Sequence, residues 1–422
     1  MPASLLAPDS AALRTRDDLL AQMPWAADAP GLAQARLLAD YVIGRRAGEL
    51  DVSGRSSEGT FSAPSDAPDE VILVDDAHGL QARVLSELTA VRTYNDRLDE
   101  ARAVAAEAPG AEPIADLVDL GDAQRTESAG APAELWAVID APKATHALAE
   151  AITVLHPLVT TLIVIGRSDA MSRAVNKELA RAFGRVDVSP GVGKNRLIIG
   201  SRPLTSPSLT RFPRTGVIDT PATGPLTVSA HGACFSGTKA DEGSSLLLTA
   251  LAEAAASPDP VPALTRPASV LDLGAGNGWL LTAAMAVTGA DRGTGVDVSK
   301  AAVASASETA EANGTVVDIV LADAAEADNG RSDDSGVDPL GGAYDLILLN
   351  PPFHHGTAIE TDTAAGMMRT AAAHLTPGGR VLTVFNSHLR YRERLEDLIG
   401  PSEQLVRTAK FTVVESRLPD QR

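Results

Sequence analysis

The 422-residue chain contains one cysteine, Cys234. A single thiol excludes an internal disulfide framework and any Cys-rich zinc or iron-sulfur site, and no metal is expected. The N-terminal stretch Met1–Ser10 lacks a basic-then-apolar leader, and no uninterrupted apolar run reaches the roughly 18 residues that span a bilayer. A cytoplasmic protein without membrane contact is the expectation. Positive charge is also short: 36 Lys and Arg stand against 55 Asp and Glu, for a formal net charge of -19. A field of that sign repels phosphate, so indiscriminate binding to nucleic acid or anionic lipid is excluded, and any such contact requires a local basic surface. Hydrophobic residues make up 44% of the chain, enough for real cores at a length suited to two or three domains.

Short apolar runs alternate with helical segments in both halves. After a helical opening (Ala11 to Leu50) and a Ser/Gly/Asp/Pro-rich loop over 51–69, strands are expected at Glu70–Val74, near Val91–Asn95, at Trp136–Asp140 and at Thr161–Gly166. Residues 203–226 carry five prolines and read as a linker. The second half repeats the plan with strands at Ala268–Leu273, Gly293–Val298, Thr315–Leu321, Tyr344–Leu349 and Gly379–Phe385. Strands separated by helices imply an α/β fold with mostly parallel sheets covered on both faces. The halves also correspond in detail. Val74-Asp75 pairs with Leu271-Asp272, Tyr94-Asn95 with Val296-Asp297, and Ala141-Pro142-Lys143 with Asn350-Pro351-Pro352. Leu162–Ser168 pairs with Val381–Ser387, and Lys194–Arg202 with Lys410–Arg417. Five fragments in one order at near-constant separation point to a duplication. The halves differ where chemistry would sit: Asp75-Asp-Ala-His-Gly79 stands in place of a glycine triplet, and Ala-Pro-Lys in place of Asn-Pro-Pro. The first half is expected to have kept a scaffold and lost a site.

Gly274, Gly276 and Gly278 follow a strand and precede the helical run Trp279–Val287. Glycines there permit a tight turn and close approach of a ligand to backbone N–H groups. The spacing is G-x-G-x-G, whereas the dinucleotide-phosphate fingerprint is G-x-G-x-x-G; alone, such a loop also fits an ordinary strand-to-helix turn. Asp272 lies inside the first strand. Asp297 ends the second, where a carboxylate accepts the hydroxyls of a ribose, and Asp323 follows the third, where it accepts from an adenine amine. Open α/β sheets bind ligands at these carboxyl ends. Asn350-Pro-Pro-Phe353 directly follows the fourth strand. Two prolines fix the backbone and remove two donors, leaving carbonyl oxygens to face the site. Asn350 and Pro351 then accept both hydrogens of an exocyclic amine, Pro352 fixes the turn, and Phe353 stacks on the ring that bears the amine.

This combination resembles the class I S-adenosylmethionine-dependent methyltransferases with an N-P-P-F/Y/W motif. More narrowly, it resembles the ribosomal RNA guanine-N2 methyltransferases called small-subunit methyltransferase C and large-subunit methyltransferase G, which pair a degenerate N-terminal domain with an active C-terminal one. The likeness extends to Phe235-Ser236 and Asp241-Glu-Gly-Ser244, similar to the family's F-S-x-x-x-x-D-x-G-S/T segment, and covers nearly all of 229–417. It implies two tandem Rossmann-like methyltransferase domains with seven-stranded sheets: a degenerate one over 1–202, the linker 203–226, and a catalytic one over 227–422. It implies S-adenosylmethionine as cofactor, held by Phe235, Asp241, Gly243, Ser244, Asp272, Gly274, Gly276, Gly278, Asp297, Val298, Asp323, Ala324 and Asn350. The implied substrate is a guanine N2 in ribosomal RNA or the small ribosomal subunit, 16S ahead of 23S, with the protein acting as a monomer. Methylation of a protein glutamine, or a non-catalytic cofactor-binding assembly module, are the rival readings. The acidic segment Glu326–Gly342 departs from the family pattern and would place charge near the site entrance.

An RNA substrate needs a basic surface, and between Arg167 and Arg214 there are ten Lys and Arg against three acids, a net of +7. Arg173, Lys177 and Arg181 recur at helical spacing and align on one face. They are expected to contact RNA with Lys194, Arg196, His354 and His355. The histidines are assigned to RNA contact or a structural role rather than to proton transfer, because amine methylation needs no strong base before the methyl moves.

Overall fold

The computed structural model describes residues 29–56, 68–118, 120, 134–141, 144–169, 171–259, 261–326, 338–352, 358–389 and 391–419. The chain divides into two compact units, Met1–Arg211 and Phe212–Arg422.

In the first unit, helix α1 (Leu32–Arg46) precedes strands β1 (Glu70–Val74), β2 (Ala90–Tyr94), β3 (Glu112–Pro113), β4 (Leu135–Asp140), β5 (Thr161–Arg167), β6 (Phe183–Val188) and β7 (Asn195–Pro203). Helices α2 (Leu80–Ser86), α3 (Leu98–Glu107), α4 (Thr145–Leu155) and α5 (Arg173–Ala182) connect them. The sheet order is β3-β2-β1-β4-β5-β7-β6, and β7 alone runs against its neighbours. Successive side chains of a strand point to opposite faces. Val71 and Leu73 therefore enter one core with Ile163 and Ile165, while Ile72 and Val74 enter the other with Leu162 and Val164. Burial on both faces is why these strands read as unbroken apolar runs.

The second unit opens on a hairpin of β8 (Arg214–Thr220) and β9 (Gly224–Ala230), so strand structure lies inside 203–226. Pro213 and Pro221 flank the first of these strands, Pro225 is the second residue of the other, and the β-branched residues Thr215, Val217, Ile218 and Thr220 build the first. Helices α6 (Glu242–Ala255) and α7 (Pro262–Thr265) follow. The main sheet contains β10 (Ser269–Leu273), β11 (Arg292–Asp297), β12 (Val317–Leu321), β13 (Tyr344–Leu349), β14 (Leu375–Asn386), β15 (Ser402–Arg407) and β16 (Phe411–Ser416). Its helices are α8 (Trp279–Thr288), α9 (Lys300–Ala312), α10 (Ala358–Ala373) and α11 (Arg392–Leu398). The order, β12-β11-β10-β13-β14-β16-β15, is the first sheet's order again, with β16 reversed. Two identical seven-strand topologies in one chain are what a duplication produces.

Sheet register corrects two of the expected correspondences. Val74 pairs with Tyr94 as Leu273 pairs with Val296, and the next amides, Asp75 N and Gly274 N, donate to Tyr94 O and Val296 O at 2.8 and 2.9 Å. Asp75 thus stands in the place of Gly274, two residues from the expected partner Asp272. Likewise Val74 pairs with Ile139 and Leu273 with Leu349, which puts Asp140, not Ala141, where Asn350 stands. Sequence alone misplaces these pairs because short apolar strands align almost equally well at neighbouring registers, whereas a hydrogen-bonded ladder admits one.

Candidate active site

The glycine turn between β10 and α8 holds three left-handed glycines, Gly274, Gly276 and Gly278, with φ of 84°, 55° and 73°. They serve different ends. A Cβ on Gly278 would lie 2.7 Å from Ala306 Cα, so this glycine lets α8 and α9 close on each other; a Cβ on Gly276 would meet nothing within 4 Å. Gly276 therefore lines open space at the carboxyl edge of the sheet, where a cofactor can reach the backbone.

The acids surround this turn. Asp297 Oδ2 accepts from Gly276 N at 2.9 Å and Oδ1 from Ser299 N at 3.0 Å, so the residue expected to hold a ribose also shapes the loop. A carboxylate oxygen accepts through two lone pairs, so a hydroxyl can bind beside an amide. Val298 beside it is partly buried. Asp323 Oδ1 accepts from Ala325 N at 2.8 Å, closing a turn over the buried Ala324. Asp272 is 1% exposed, and its Oδ2 has no partner among the described residues. Burial, then the nearby Asp297, push its carboxyl well above the ordinary range. A buried acceptor left unpaired is costly unless a ligand supplies the donor. The unpaired oxygen and the open cradle at Gly276 fit a cofactor that carries both an ammonium and a nucleoside, as S-adenosylmethionine does.

Asn277 is a residue that sequence reasoning passes over. Its Nδ2 donates to Gly237 O at 2.8 Å and Lys239 O at 3.4 Å, while its Oδ1 accepts from Trp279 N at 3.1 Å. It ties the turn carrying Phe235, 56% exposed, to the glycine loop. The signal for it is a polar side chain between two obligatory glycines.

Asn350, the residue expected to face the methyl acceptor, stands immediately after β13. Its Nδ2 donates to Asp241 Oδ2 and to Ser244 Oγ, both at 3.0 Å. Asp241 Oδ2 also accepts from Ser244 N at 3.0 Å as the N-cap of α6. With both amide hydrogens engaged, the orientation of the group follows from the network, and Oδ1 is the atom left to address an incoming amine. Asp241 and Ser244, expected beside the cofactor, are brought together here as holders of Asn350. Gly243 leaves room beside them: a Cβ there would stand 3.0 Å from Asp241 Oδ2 and 3.5 Å from Asn350 Oδ1. Pro351 is buried and Pro352 exposed. Phe353, His354 and His355, and most of the acidic segment Glu326–Gly342, lie outside the described residues.

The counterpart in the first unit is closed by its own side chains. Gly79 keeps the left-handed turn of Gly278, at φ 72°, but Asp75 occupies Gly274's place at φ 60°. Asp76 Oδ2 accepts from Ala82 N, in the first turn of α2, at 2.9 Å. Asp140, in Asn350's place, accepts from Gln81 Nε2 at 2.9 Å. Burial and the neighbouring Asp76 push the Asp140 carboxyl up to about 7. Folding therefore takes up a proton at this residue. That contribution is complete below about pH 4, where the unfolded chain is protonated too, and is lost as pH rises toward 7. Asp140→Asn is expected to stabilise the first unit by about 1–3 kcal/mol at pH 8 and by much less at pH 5, read by denaturant unfolding at both pH values.

The basic segment of the first unit is partly neutralised. Each of its three acids takes one arginine: Asp169 pairs with Arg167 at 2.8 Å, Glu178 with Arg181 at 3.0 Å and Asp187 with Arg185 at 2.6 Å. Arg196 Nε donates to Ser168 Oγ at 2.7 Å. Arg173 and Lys177 remain exposed on α5, opposite the buried Val175 and Leu179, and Lys194 is exposed before β7. The expected triplet is thus two outward cations and one paired arginine.

A sheet of this order, with a glycine turn after its first strand and Asn-Pro-Pro after its fourth, defines a methyltransferase. The family model described as methyltransferase small domain matches residues 225–415. A ribosomal RNA small subunit methyltransferase C of Chromohalobacter salexigens is 34% identical over 289 residues, covering 66% of this chain and 77% of the relative. A ribosomal RNA large subunit methyltransferase G of Streptomyces griseus is 32% identical over 290 residues, covering 66% and 70%. The chain belongs to the family of these ribosomal RNA methyltransferases C and G. Among solved structures, a T. thermophilus 16S rRNA N2 methyltransferase in complex with AdoMet and guanosine has the same fold, with a TM-score of 0.66 at 23% identity over 86% of this chain and 90% of that one.

Proposed function

We propose that the second unit transfers the methyl group of S-adenosylmethionine to the exocyclic N2 of a guanine in ribosomal RNA. The observation that carries this reading is the Asn350 amide, held by Asp241 and Ser244 so that its oxygen faces outward. When bound, S-adenosylmethionine supplies an electrophilic methyl on a sulfonium. Asp272, Asp297, Asp323 and the Gly274–Gly278 loop would hold it, at the carboxyl ends of β10, β11 and β12. Asn350 Oδ1 and the Pro351 carbonyl accept the two amine hydrogens, turning the nitrogen lone pair out of the ring's conjugation and toward the methyl. Catalysis is then chiefly positioning. The proton leaves from the cationic product, so no base is required beforehand. Methylation of a protein glutamine uses the same two acceptors; the degenerate, basic first unit favours RNA.

Radiolabelled S-adenosylmethionine is incubated with the protein and either undermodified ribosomal subunits or total protein. Label is expected in guanine of the RNA, 16S ahead of 23S. Label confined to protein would overturn the reading in favour of glutamine, and label in neither would leave a binding module.

Under this reading the first unit docks the RNA and the second, from the β8–β9 hairpin onward, carries out transfer in the cytoplasm, with one chain sufficient. Arg173 and Lys177 then contact phosphates, and Arg181, held by Glu178, contributes little. Replacing Arg173 and Lys177 by Gln is expected to flatten the slope of log affinity against log salt by about 1.5–2, and adding Arg181→Gln to change it little further. An unchanged slope in the double variant would assign these charges to solvation.

A further inference from the structure

A groove of about 340 Å³ lies between α6 and the turn from β15 to β16, lined by Glu242, Ser245, Thr249, Thr408, Lys410 and Phe411. The mechanism above uses none of these residues. Phe411 opens β16 and pairs with Asn386, at the sheet edge that carries Asn350. A Cβ built on Gly243 would meet an edge carbon of the Phe411 ring and Asn350 Oδ1 at 3.5 Å each, so the groove opens directly off the acceptor position. Lys410 Nζ stands 5.1 Å from the centroid of that ring and pairs with Glu242.

A half-buried ring and an exposed cation form a pair that holds one nucleotide by stacking and charge, while the hydroxyl protons of Ser245, Thr249 and Thr408 stay on the carbonyls of Asp241, Ser245 and Phe411. The Lys410 and Glu242 side chains are 63% and 69% exposed. An ion pair in that much water is weak, so Lys410 exchanges Glu242 for a phosphate at little cost and bares the ring as it leaves. The first unit supplies a contrast. Arg167 pairs with Asn195 there as Asn386 pairs with Phe411 here, so the lysine persists as Lys194 while the ring is replaced by Asn195. The aromatic stands only beside the unit that has the Asn350 amide.

We propose that this groove binds the nucleotide adjacent to the target guanine in the RNA strand, its base stacked on Phe411 and its phosphate on Lys410. The proposal rests on methyl transfer to RNA and adds that the enzyme selects a strand over an isolated guanine. Affinities of the full chain for guanosine monophosphate and for single-stranded trinucleotides with a central guanine are measured with S-adenosylhomocysteine present. The wild type is expected to prefer the trinucleotides. Phe411→Leu, which keeps apolar packing, is expected to lower that preference about tenfold, with Phe411→Tyr retaining it. Lys410→Gln is expected to lower the preference and flatten its salt dependence. Equal loss for both ligands in Phe411→Leu would make the ring part of the guanine pocket, and an unchanged preference in both Phe411→Leu and Lys410→Gln would leave the groove without a nucleotide; either result overturns the proposal. The preference is read without turnover, so its failure is distinct from an absence of labelled RNA in the transfer assay.

Discussion

Asn350→Ala is expected to lower turnover by a factor of about 10²–10³ while changing affinity for S-adenosylmethionine only a few-fold. The factor is that of removing one preorganised polar contact to a reacting group. In the proposed mechanism Asn350 Oδ1 acts where the amine loses its conjugation, so its loss is expected in kcat, whereas the proposed cofactor contacts at Asp272, Asp297 and Gly276 remain. Asp241 acts through Asn350 and is a positioning residue. Its Oδ2 accepts both from Asn350 Nδ2 and from Ser244 N. Asp241→Ala frees the amide to turn and removes a helix cap worth about 1 kcal/mol. Turnover is expected to fall about ten- to a hundredfold with cofactor affinity held. Asp241→Asn, whose single amide oxygen serves both bonds, is expected to restore most of it. Calorimetric binding beside single-turnover kinetics checks both variants, and full turnover in Asn350→Ala would remove the mechanism.

The second large effect separates two glycines that look alike in sequence. Gly278→Ala is expected to destabilise the second unit by about 2–4 kcal/mol, because a Cβ would press into the α9 backbone at 2.7 Å and the residue would keep a left-handed φ of 73°. Gly276→Ala carries strain of about 1 kcal/mol and no clash, since nothing lies within 4 Å of its Cβ. Its main expected effect is at least a tenfold loss of cofactor affinity, as the methyl fills the cradle. Thermal unfolding with calorimetric titration separates the two. Unchanged cofactor affinity in Gly276→Ala would place the cofactor elsewhere.

Much of the site is legible in the amino-acid sequence. Glycines at G-x-G-x-G, acids at successive strand ends and Asn-Pro-Pro after a strand are local patterns, and local backbone chemistry makes them readable. The relation of Asp241 and Ser244 to Asn350 is not, because it spans more than 100 residues of chain and is closed by side chains. Phe411 escapes notice for the same reason: nothing near it in sequence is functional, and only strand pairing brings it to the edge that carries Asn350. The basic segment reads as a net of +7, which is correct as a count. Which cations face outward unpaired by an acid depends on the three ion pairs that the fold forms.

Two α/β sheets of one plan, the second alone carrying the G-x-G-x-G turn and Asn-Pro-Pro, are legible in the order of the residues. Apolar runs that read as strands, helical spacing between them and a glycine loop present in one half and absent from the other are properties of neighbouring residues. Tertiary structure decided register and orientation. The ladder set Asp75 in Gly274's place and Asp140 in Asn350's, because a hydrogen-bonded sheet tolerates no slip. The capping carboxylate of α6 decided which atom of Asn350 faces the acceptor, because an amide offers a donor and an acceptor on opposite sides and only its three-dimensional partners choose between them.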